Sequence, residues 1–410
     1  MKSKFEIMAP AGNFECLHAA IQGGANAVYF GVGRLNMRSH SANNFAAEDL
    51  REVCDICRRN GVRSYLTLNI TLYDEDLAPM RETLLAAREA GISAIIASDM
   101  AAIAEARRLG LEVHISTQLS VSNVESLRFY SQFADVVVLA RELRLDQAKA
   151  IHEAILAENI CGPSGRPVEV EMFCHGALCM AVSGKCYLSL HEYNASANRG
   201  SCYQVCRHAY EVTDIETGAQ LRVDNQYIMS PKDLCTIEFL DKMADAGVTV
   251  FKIEGRARSS EYVKTVTQAY REAADAIEAG TFTPELAASL KERLATVFNR
   301  GFWDGYYQGA RLGEWSDYYG NHATRTKTYL GRVTNYYARL GVAEIQLETG
   351  RFRVGDTLLV TGPTTGVVET VPSEIRLDDA HKLEEAAKGD LIAIPVPERV
   401  RRGDKVFLFA

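Results

Sequence analysis

The chain has 410 residues, 47% of them hydrophobic, and carries a formal net charge of −8 at pH 7. A chain of this size buries a large core without disulfide staples, and we expect one large domain and one small one. The acidic balance excludes an indiscriminate coat for nucleic acid, which leaves only a local basic patch for an RNA partner. The apolar runs are short and interrupted by charge, so a membrane-spanning helix is excluded as well.

The start of the chain has no secretory signal. Residues 1–7 contain no apolar h-region and lead directly into a predicted strand. We therefore expect a cytoplasmic protein. In that compartment clustered thiols are more often metal ligands or catalytic groups than members of a disulfide framework.

Short apolar or β-branched runs alternate with helical stretches from the N-terminus to about residue 255. The predicted strands are 6–10, 27–32, 64–70, 94–98, 112–117, 135–140, 168–173 and 248–253. The spacing of apolar residues predicts helices between them, including 46–60, 77–90, 100–109 and 122–133. Eight such units in order predict an α/β fold, a TIM-type (β/α)8 barrel with a cysteine-rich insertion.

The barrel prediction places any chemistry at the carboxyl ends of the strands, where the βα loops gather. All eight predicted strands have polar residues near that end. Among these residues are Asn13, Arg38, Asn69, Asp99, His114, Gln118, Arg141, Glu142, His175, Glu254 and Arg256. Because every strand contributes, we expect a site at the mouth of the barrel, and a non-enzymatic scaffold becomes less favoured.

Six of the ten cysteines fall between residues 174 and 235. The four whose spacing suits one polynuclear metal site are Cys179, Cys186, Cys202 and Cys235. Zinc sites usually show paired C-x(2–4)-C knuckles, and only Cys202 and Cys206 resemble one. Wide and unequal intervals favour an iron–sulfur cluster over zinc. Cys174 and Cys206 are left as buried small hydrophobes, unless Cys206 replaces Cys235 as the fourth ligand.

The pattern changes in the last quarter of the chain. Helices are predicted at 261–279 and 283–296, followed by an aromatic, glycine-rich stretch at 299–319. From residue 330 onward, short alternating strands are separated by Gly-Asp and Gly-Pro turn signals. We predict a small antiparallel β-barrel at residues 325–410. It follows a first domain at 1–324 that contains the cysteine-rich region at 174–235.

Two short motifs identify a family. Residues 171–179 fit E-x-F-x-H-G-A-L-C, and residues 184–189 fit G-x-C-x-x-S. On these residues the chain resembles the collagenase-like peptidase family. Similar segments cover nearly the whole barrel and include residues 9–12, 27–29, 141–143, 199–202, 230–234 and 252–256. The part after residue 330 is similar to the small β-barrel that follows the catalytic part in many members.

The resemblance implies [4Fe-4S] proteins that take part in oxygen-independent hydroxylation. Their implied substrates are tRNA wobble uridine, ribosomal RNA cytidine or ubiquinone precursors, with prephenate as the implied source of oxygen. The length, the segment 199–207 and the C-terminal module most resemble the tRNA branch. Implied partners are tRNA, prephenate as a small dicarboxylate, and iron–sulfur assembly or electron-transfer proteins. The fourth ligand stays open, because some members of the tRNA branch lack a cysteine at the position of Cys235.

Prephenate bears two carboxylates, and guanidinium groups bind carboxylates bidentately. The residues predicted to bind substrate are therefore Arg38, Arg141 and Arg256, with Asn69 and Gln118 beside them. The alternative is that these arginines form ion pairs with acids in the barrel mouth, such as Glu142, Glu254 or Asp99.

Glu254 and His114 are the candidates for general acid or base catalysis, because each lies near the carboxyl end of a predicted strand. A hydrolase is the main rival class, since the family name describes one. The sequence supports it little: His191-Glu192 lacks the second histidine of H-E-x-x-H, and there is no G-x-S-x-G motif.

Overall fold

The computed structural model describes residues 3–40, 44–208, 211–222, 230–309, 313–316, 320–378 and 381–410. Its first part is a closed barrel of eight parallel strands. Their bounds are β1 Glu6–Pro10, β2 Ala27–Phe30, β3 Arg63–Leu68, β4 Ala94–Ala97, β5 Glu112–Ile115, β6 Val136–Val138, β7 Glu169–Ala177 and β8 Val248–Ile253. Each strand pairs with the next, and β8 pairs with both β7 and β1 to close the ring. The predicted TIM-type barrel is confirmed.

Helices connect the strands and cover the outside of the barrel. Their bounds are α1 Phe14–Gln22, α2 Leu50–Arg59, α3 Leu77–Ala90, α4 Met100–Arg108, α5 Val124–Ser131 and α6 Leu145–Ala157. In α2, the apolar side chains Leu50, Val53, Cys54 and Cys57 form one buried stripe. This spacing of three and four residues is what places the helix against the strands.

Some polar residues at the strand ends are helix caps. Asn13 Oδ1 accepts a hydrogen bond from Cys16 N at 2.8 Å, and Asp99 Oδ1 accepts one from Ala101 N at 2.9 Å. These side chains satisfy backbone donors that the first helical turn leaves unpaired. The polar residues at the eight strand ends therefore do not all belong to a site.

Strand β7 is longer than predicted. The pattern ends the strand at residue 173, whereas β7 continues to Ala177. Its last residues pair antiparallel with the strand Asp233–Cys235, which belongs to the cysteine-rich insertion. The partner strand is far away in the sequence, so the local residue pattern cannot predict this pairing.

The cysteine-rich insertion between β7 and β8 is built of short elements. They are α7 Leu188–Tyr193, the paired strands Glu211–Thr213 and Gln220–Arg222, the strand Asp233–Cys235 and α8 Leu240–Asp245. Single 3-10 turns lie here and elsewhere at Ala47–Asp49, Asp74–Asp76, Thr117–Leu119, Ala197–Arg199, Val205–Arg207 and Ile237–Phe239. The insertion folds back over the carboxyl ends of the barrel strands.

Two long helices follow the barrel, α9 Ser260–Ala279 and α10 Pro284–Ala295, close to their predicted ranges. The strand Phe302–Trp303 then pairs with Asp233–Cys235. None of the described helices combines the length and the apolar character that crossing a bilayer requires.

The last part of the chain is antiparallel. Its strands are β9 Lys327–Tyr337, β10 Val342–Leu347, β11 Arg351–Arg353, β12 Leu358–Gly362, β13 Gly366–Thr370, β14 Ile375–Arg376, β15 Lys382–Leu383, β16 Glu385–Ala387, β17 Leu391–Pro395 and β18 Lys405–Phe409. Eight of them form one sheet in the order β13-β12-β18-β9-β10-β17-β14-β15, and β11 pairs with β16. The first strand begins two residues after the predicted change at Arg325.

The antiparallel sheet differs from the predicted barrel at its edge. In the described part of the chain, β13 and β15 form the two ends of the sheet and do not pair with each other. The β13 edge is covered instead by α1 of the large barrel. Gln22 Nε2 donates to Thr365 O at 2.9 Å, and Gln22 Oε1 accepts from Val367 N at 2.9 Å. A covered edge needs no further strand to satisfy its backbone groups.

Candidate functional site

A pocket opens where the barrel mouth meets the cysteine-rich insertion; we call it the cysteine pocket. The predicted site residues that line it are Arg38, Asn69, Gln118, Arg141, Cys179, Cys186, Cys202, Glu254 and Arg256. Cys206, Lys252, Arg207, Arg258 and Arg300 line it as well. The ends of separate strands and the insertion thus meet in one cavity, as the barrel topology requires.

Glycines hold the cysteine loops close to the barrel. Gly184 and Gly200 have φ values of 75° and 87°, in the left-handed region that favours glycine. A Cβ atom at Gly184 would collide with the Gln118 side chain, and one at Gly200 would collide with Ser39. Each glycine lies just before a cysteine, Cys186 or Cys202. The close approach therefore positions both thiols at the pocket.

Cys235 does not line this pocket, and its role as a ligand stays a prediction. Its strand pairs with β7 so that Cys235 lies opposite His175. The side chain is buried in the core, where Tyr270 Oη donates to its Sγ at 3.9 Å. Burial raises the pKa of the Cys235 thiol to about 11. Spacing alone favoured this cysteine, but the antiparallel pairing turns it away from the pocket.

Cys206 is the predicted alternative to Cys235 as fourth ligand. It lines the pocket with the other three thiols. Burial raises the pKa of the Cys206 thiol to about 11; Arg207 opposes this shift, whereas the charges of Cys179, Cys202 and Cys186 add to it. Of the two predicted sets, the one with Cys206 has all four thiols in the lining of a single cavity.

Four cysteine thiols can serve as ligands to zinc or to an iron–sulfur cluster. Within the described ranges, no group of three or more His, Cys, Asp or Glu side chains is placed to hold one metal ion. An iron–sulfur cluster is wider than an ion, and four cysteine thiolates are its usual ligands. Cys179, Cys186, Cys202 and Cys206 would hold it.

The lining of the cysteine pocket is strongly cationic. Its positively charged members are Arg38, Arg141, Arg207, Lys252, Arg256, Arg258 and Arg300. Glu254 is the one acid among the described lining residues. Behind the wall, Asp233 pairs with Arg258 at 3.6 Å and with Arg300 at 3.4 Å. The remaining excess of positive charge suits anionic occupants, since buried charges are normally compensated.

Three of these arginines, Arg141, Arg207 and Arg256, have no carboxylate within 4.0 Å among the described residues, whereas Arg38, Arg258 and Arg300 do. Arg141 and Arg256 form no ion pair within 4.0 Å with a described carboxylate, and the Nε atom of each is buried without a hydrogen-bond partner. Arg256 Nη1 donates to Asn36 and Thr67, both at 2.9 Å. Burial lowers the pKa of Arg256 to about 10. Arg141 and Arg256 therefore make no direct ion pair, although their positive charges act on Glu254 in the same pocket.

Arg38, in contrast, forms an ion pair with an acid in the barrel mouth, as the alternative predicted. Its Nη2 lies 2.7 Å from Glu254 Oε1, and Tyr29 Oη donates to Glu254 Oε2 at 3.3 Å. Burial on its own would raise the pKa of Glu254, but the positive charges of Arg38, Arg141 and Arg256 outweigh it and lower the pKa to about 2. Glu254 is therefore ionised at neutral pH and holds no proton to donate.

A family model, peptidase family U32, matches residues 12–317. The chain belongs to this family. It is 60% identical over 405 residues to a Porphyromonas gingivalis protein named collagenase, which covers 99% of this chain and 98% of that relative. It is 34% identical over 395 residues to the Bacillus subtilis tRNA hydroxylation protein P1, with 93% and 89% covered. It is also 35% identical over 318 residues to the Escherichia coli 23S rRNA 5-hydroxycytidine synthase, covering 76% of this chain and 46% of that enzyme.

His114 does not line the cysteine pocket of this U32 protein, and its catalytic role stays a prediction. It is fully buried inside the barrel, where Nε2 lies 3.1 Å from Glu112 Oε1 and the ring contacts Tyr65. Ser116 and Thr117, which follow it in the chain, line the pocket instead. The strand Glu112–Ile115 lies within the predicted range 112–117, and the side chain of His114 is enclosed in the barrel interior.

Lys252 is a pocket residue that the sequence interpretation did not select. Its Nζ donates to the fully buried Glu171 Oε1 at 2.6 Å and lies 4.9 Å from the Tyr29 ring centroid. Glu171 belongs to the family signature, and Lys252 stands in the β8 segment that resembles the family. Their pairing across β7 and β8 would have required knowledge of the closed barrel.

The fold of the U32 protein is expected to become less stable in acid, because Glu254 is protonated there. A carboxyl whose pKa is lowered from 4.5 to about 2 in the folded state stabilises the fold above pH 4.5, and this contribution disappears as the pH falls towards 2. Its size is roughly 3 kcal/mol. Glu254→Gln should therefore lower the free energy of unfolding in urea at pH 7 and have a much smaller effect near pH 2.5.

Glu125→Gln is the matched control, because Glu125 is 81% exposed and its contact with Arg128 is 3.4 Å long. Surface pairs of this kind contribute at most about 1 kcal/mol. An equal loss in the two variants, or a loss from Glu254→Gln that does not depend on pH, would contradict the electrostatic explanation.

Proposed function

We propose that this U32 protein hydroxylates C5 of the wobble uridine in tRNA without dioxygen. In this proposal Cys179, Cys186, Cys202 and Cys206 hold a [4Fe-4S] cluster. An anionic oxygen donor binds beside the cluster, and prephenate is the dicarboxylate that the family resemblance implies. Iron–sulfur assembly or electron-transfer proteins are its further partners.

One observation carries the proposal: four thiols and two arginines without acidic partners, Arg141 and Arg256, line the same pocket. Four thiols are the usual ligand set of an iron–sulfur cluster. Guanidinium groups with unsatisfied donors are well suited to bind carboxylates. Two relatives over most of the barrel are named for hydroxylation of tRNA and for 5-hydroxycytidine synthesis in ribosomal RNA.

The protein's own side chains would bind and orient the reactants. Hydroxylation replaces a C–H bond by C–OH, so the donor gives up an oxygen atom and takes up the two electrons that the base loses. A bound cluster would transfer electrons between them. Arg141 and Arg256 would hold the carboxylates of the donor. Lys252 would place a charged N–H beside an oxygen that gains negative charge.

Gln118 is suited to meet the base. Its Oε1 is buried and has no hydrogen-bond partner among the described residues, and Asn69 lines the same wall. A carboxamide carries both an acceptor and donors, which match the N3–H and O4 groups of uracil. In this arrangement the side-chain amides of Gln118 and Asn69 recognise the base, while Arg141 and Arg256 hold the oxygen donor.

A strain that lacks the protein is expected to lose the nucleosides derived from 5-hydroxyuridine at tRNA wobble positions. Mass spectrometry of digested tRNA measures them, and the wild-type gene on a plasmid should restore them while Arg141→Met should not. Loss of 5-hydroxycytidine from ribosomal RNA with unchanged tRNA nucleosides would show that ribosomal RNA, and not tRNA, is the substrate. Unchanged nucleosides in both RNAs would refute RNA hydroxylation.

A peptidase is the second candidate, because the 60% identical relative is named collagenase. The pocket gives it little support. No histidine is found among its described lining residues, and Glu254 is held by Arg38. A thiol nucleophile would lack the adjacent base that such catalysis uses. Cleavage of labelled gelatin that disappears in a Cys179→Ala variant would favour this candidate.

A further inference from the structure

Exposed aromatic side chains are concentrated beside the cysteine pocket. Within the part of the chain that the structure describes, six tyrosine or phenylalanine side chains rank as exposed. Three of them, Tyr187 at 75%, Tyr193 at 51% and Tyr203 at 53% exposure, fall within seventeen consecutive residues of the insertion. Isolated apolar side chains on a surface are common, whereas a cluster marks a binding surface.

The three tyrosines belong to the cysteine loops and to the short helix α7 between them. Tyr187 directly follows Cys186, and Tyr203 directly follows Cys202. Tyr193 ends α7, and its ring lies 5.1 Å from that of Tyr203 with an angle of 33° between the planes. Tyr203 N also donates to Ser189 Oγ in α7 at 3.0 Å. Because Cys186 and Cys202 line the pocket, the adjacent residues Tyr187 and Tyr203 lie close to it, and Tyr193 packs against Tyr203.

The charge of this segment is complementary to RNA. Residues 178–208 carry three formal positive charges, on Lys185, Arg199 and Arg207, against one negative charge on Glu192, in a chain of net charge −8. Arg199 is paired with Asp76 at 2.7 Å and is partly buried, as is Arg207, whereas Lys185 is exposed. Few phosphates can therefore be neutralised here, and base contacts must supply most of the affinity.

The pocket itself demands an unpaired nucleotide. Its wall is formed by strand ends and buried arginines, so a base inside a duplex cannot reach the thiols. An enzyme that acts on one base takes it out of the stack, which costs a few kcal/mol. Aromatic side chains that stack on the neighbouring bases offset this cost, as they do in proteins that bind single-stranded RNA.

We propose that Tyr187, Tyr193 and Tyr203 form a stacking platform for the unpaired bases of an RNA loop, which delivers one flanking base to the cysteine pocket. The inference rests on the proposed function, and it names the surface by which the substrate is held. The occupant is a single-stranded loop such as that of an anticodon arm. A protein partner at this surface is the competing outcome of the test.

The test is a binding titration by fluorescence anisotropy. The full-length, iron-loaded protein is titrated against a labelled anticodon stem–loop RNA and against a blunt duplex with the same stem. Stacking contributes about 1–3 kcal/mol for each base, so each alanine variant at Tyr187, Tyr193 or Tyr203 should weaken loop binding about 5- to 150-fold. Phenylalanine at the same positions should retain binding, because the ring carries the stacking.

Two exposed aromatics outside the insertion serve as matched controls. Phe129 is 53% exposed and Tyr337 is 42% exposed, and their alanine variants should bind the loop as wild type does. The dependence of binding on salt should also be shallow, with a slope of about −1 to −2 in log–log form. A steeper slope would mean that phosphate contacts dominate, which contradicts a stacking platform.

Other outcomes overturn the inference. Equal affinity for the duplex, or unchanged loop binding in the alanine variants, would show that these rings do not hold RNA and would leave a protein partner as the explanation. Iron content is measured on every variant, and Tyr193→Ala, which adjoins no cysteine, decides the matter if another variant loses iron. Loop binding without any change of tRNA nucleosides in the deletion strain would refute the proposed function and leave the platform standing.

Discussion

Replacing Cys206 by alanine is expected to remove the iron from the protein, whereas replacing Cys235 should leave the iron in place. Cys206 lines the pocket with three other thiols, while Cys235 is buried beside Tyr270. Four thiolates are the usual ligands of a cubane cluster, and wild-type protein purified without oxygen should be brown and contain about four iron and four sulfide per chain.

The iron content of variants at the other cysteines tests the same ligand set. Variants at Cys179, Cys186 and Cys202 should behave like the variant at Cys206. Cys174→Ala is the control for Cys235→Ala, because both thiols are buried in the core. Loss of iron from Cys235→Ala with normal iron in Cys206→Ala would restore the choice made from spacing. One zinc per chain and no iron would refute the cluster.

The second large effect is expected from Lys252→Met. Lys252 Nζ and Glu171 Oε1 are 2.6 Å apart, and the Glu171 side chain has no exposed surface. Removing the ammonium leaves a carboxylate buried without its counter-charge, which costs about 3–5 kcal/mol. The free energy of unfolding, measured by urea denaturation at pH 7, should fall by that amount.

The double variant Lys252→Met with Glu171→Leu distinguishes two causes of instability, the loss of the attraction between the two charges and the burial of an unpaired carboxylate. Replacing both partners by apolar side chains removes the unpaired group, so most of the stability should return. Lys232→Met is the surface control, since Lys232 and Glu314 are both partly exposed and their pair should contribute less than about 1 kcal/mol. A double variant as unstable as Lys252→Met would show that the lysine acts by packing rather than by charge.

The sequence predicted the barrel well because its signal is local. Strands β1 and β8 have the predicted bounds, and α3 does as well. Apolar periodicity depends on neighbours within a few turns, so it is visible without the fold. The extension of β7 to Ala177 was missed, because it depends on pairing with a strand more than fifty residues later in the chain.

The site was predicted in part. Arg38, Arg141 and Arg256 do meet at the pocket, because residues at the carboxyl ends of parallel strands share one end of a barrel. Their partners could not be predicted. Only the structure pairs Arg38 with Glu254 while Arg141 and Arg256 are left without an acid, since such pairing depends on distances between different strands.

The sequence by itself determined the fold class, the location of the pocket at the strand ends and the presence of a surplus of thiols beside it. All of these follow from periodicity, chain order and composition. The tertiary structure decided which four thiols share a cavity, that His114 is buried outside its lining, that Lys252 belongs to its lining and that Tyr193 packs against Tyr203 beside the cysteine loops. These are questions of direction and distance between distant segments, and packing and backbone pairing settle them only when the barrel closes.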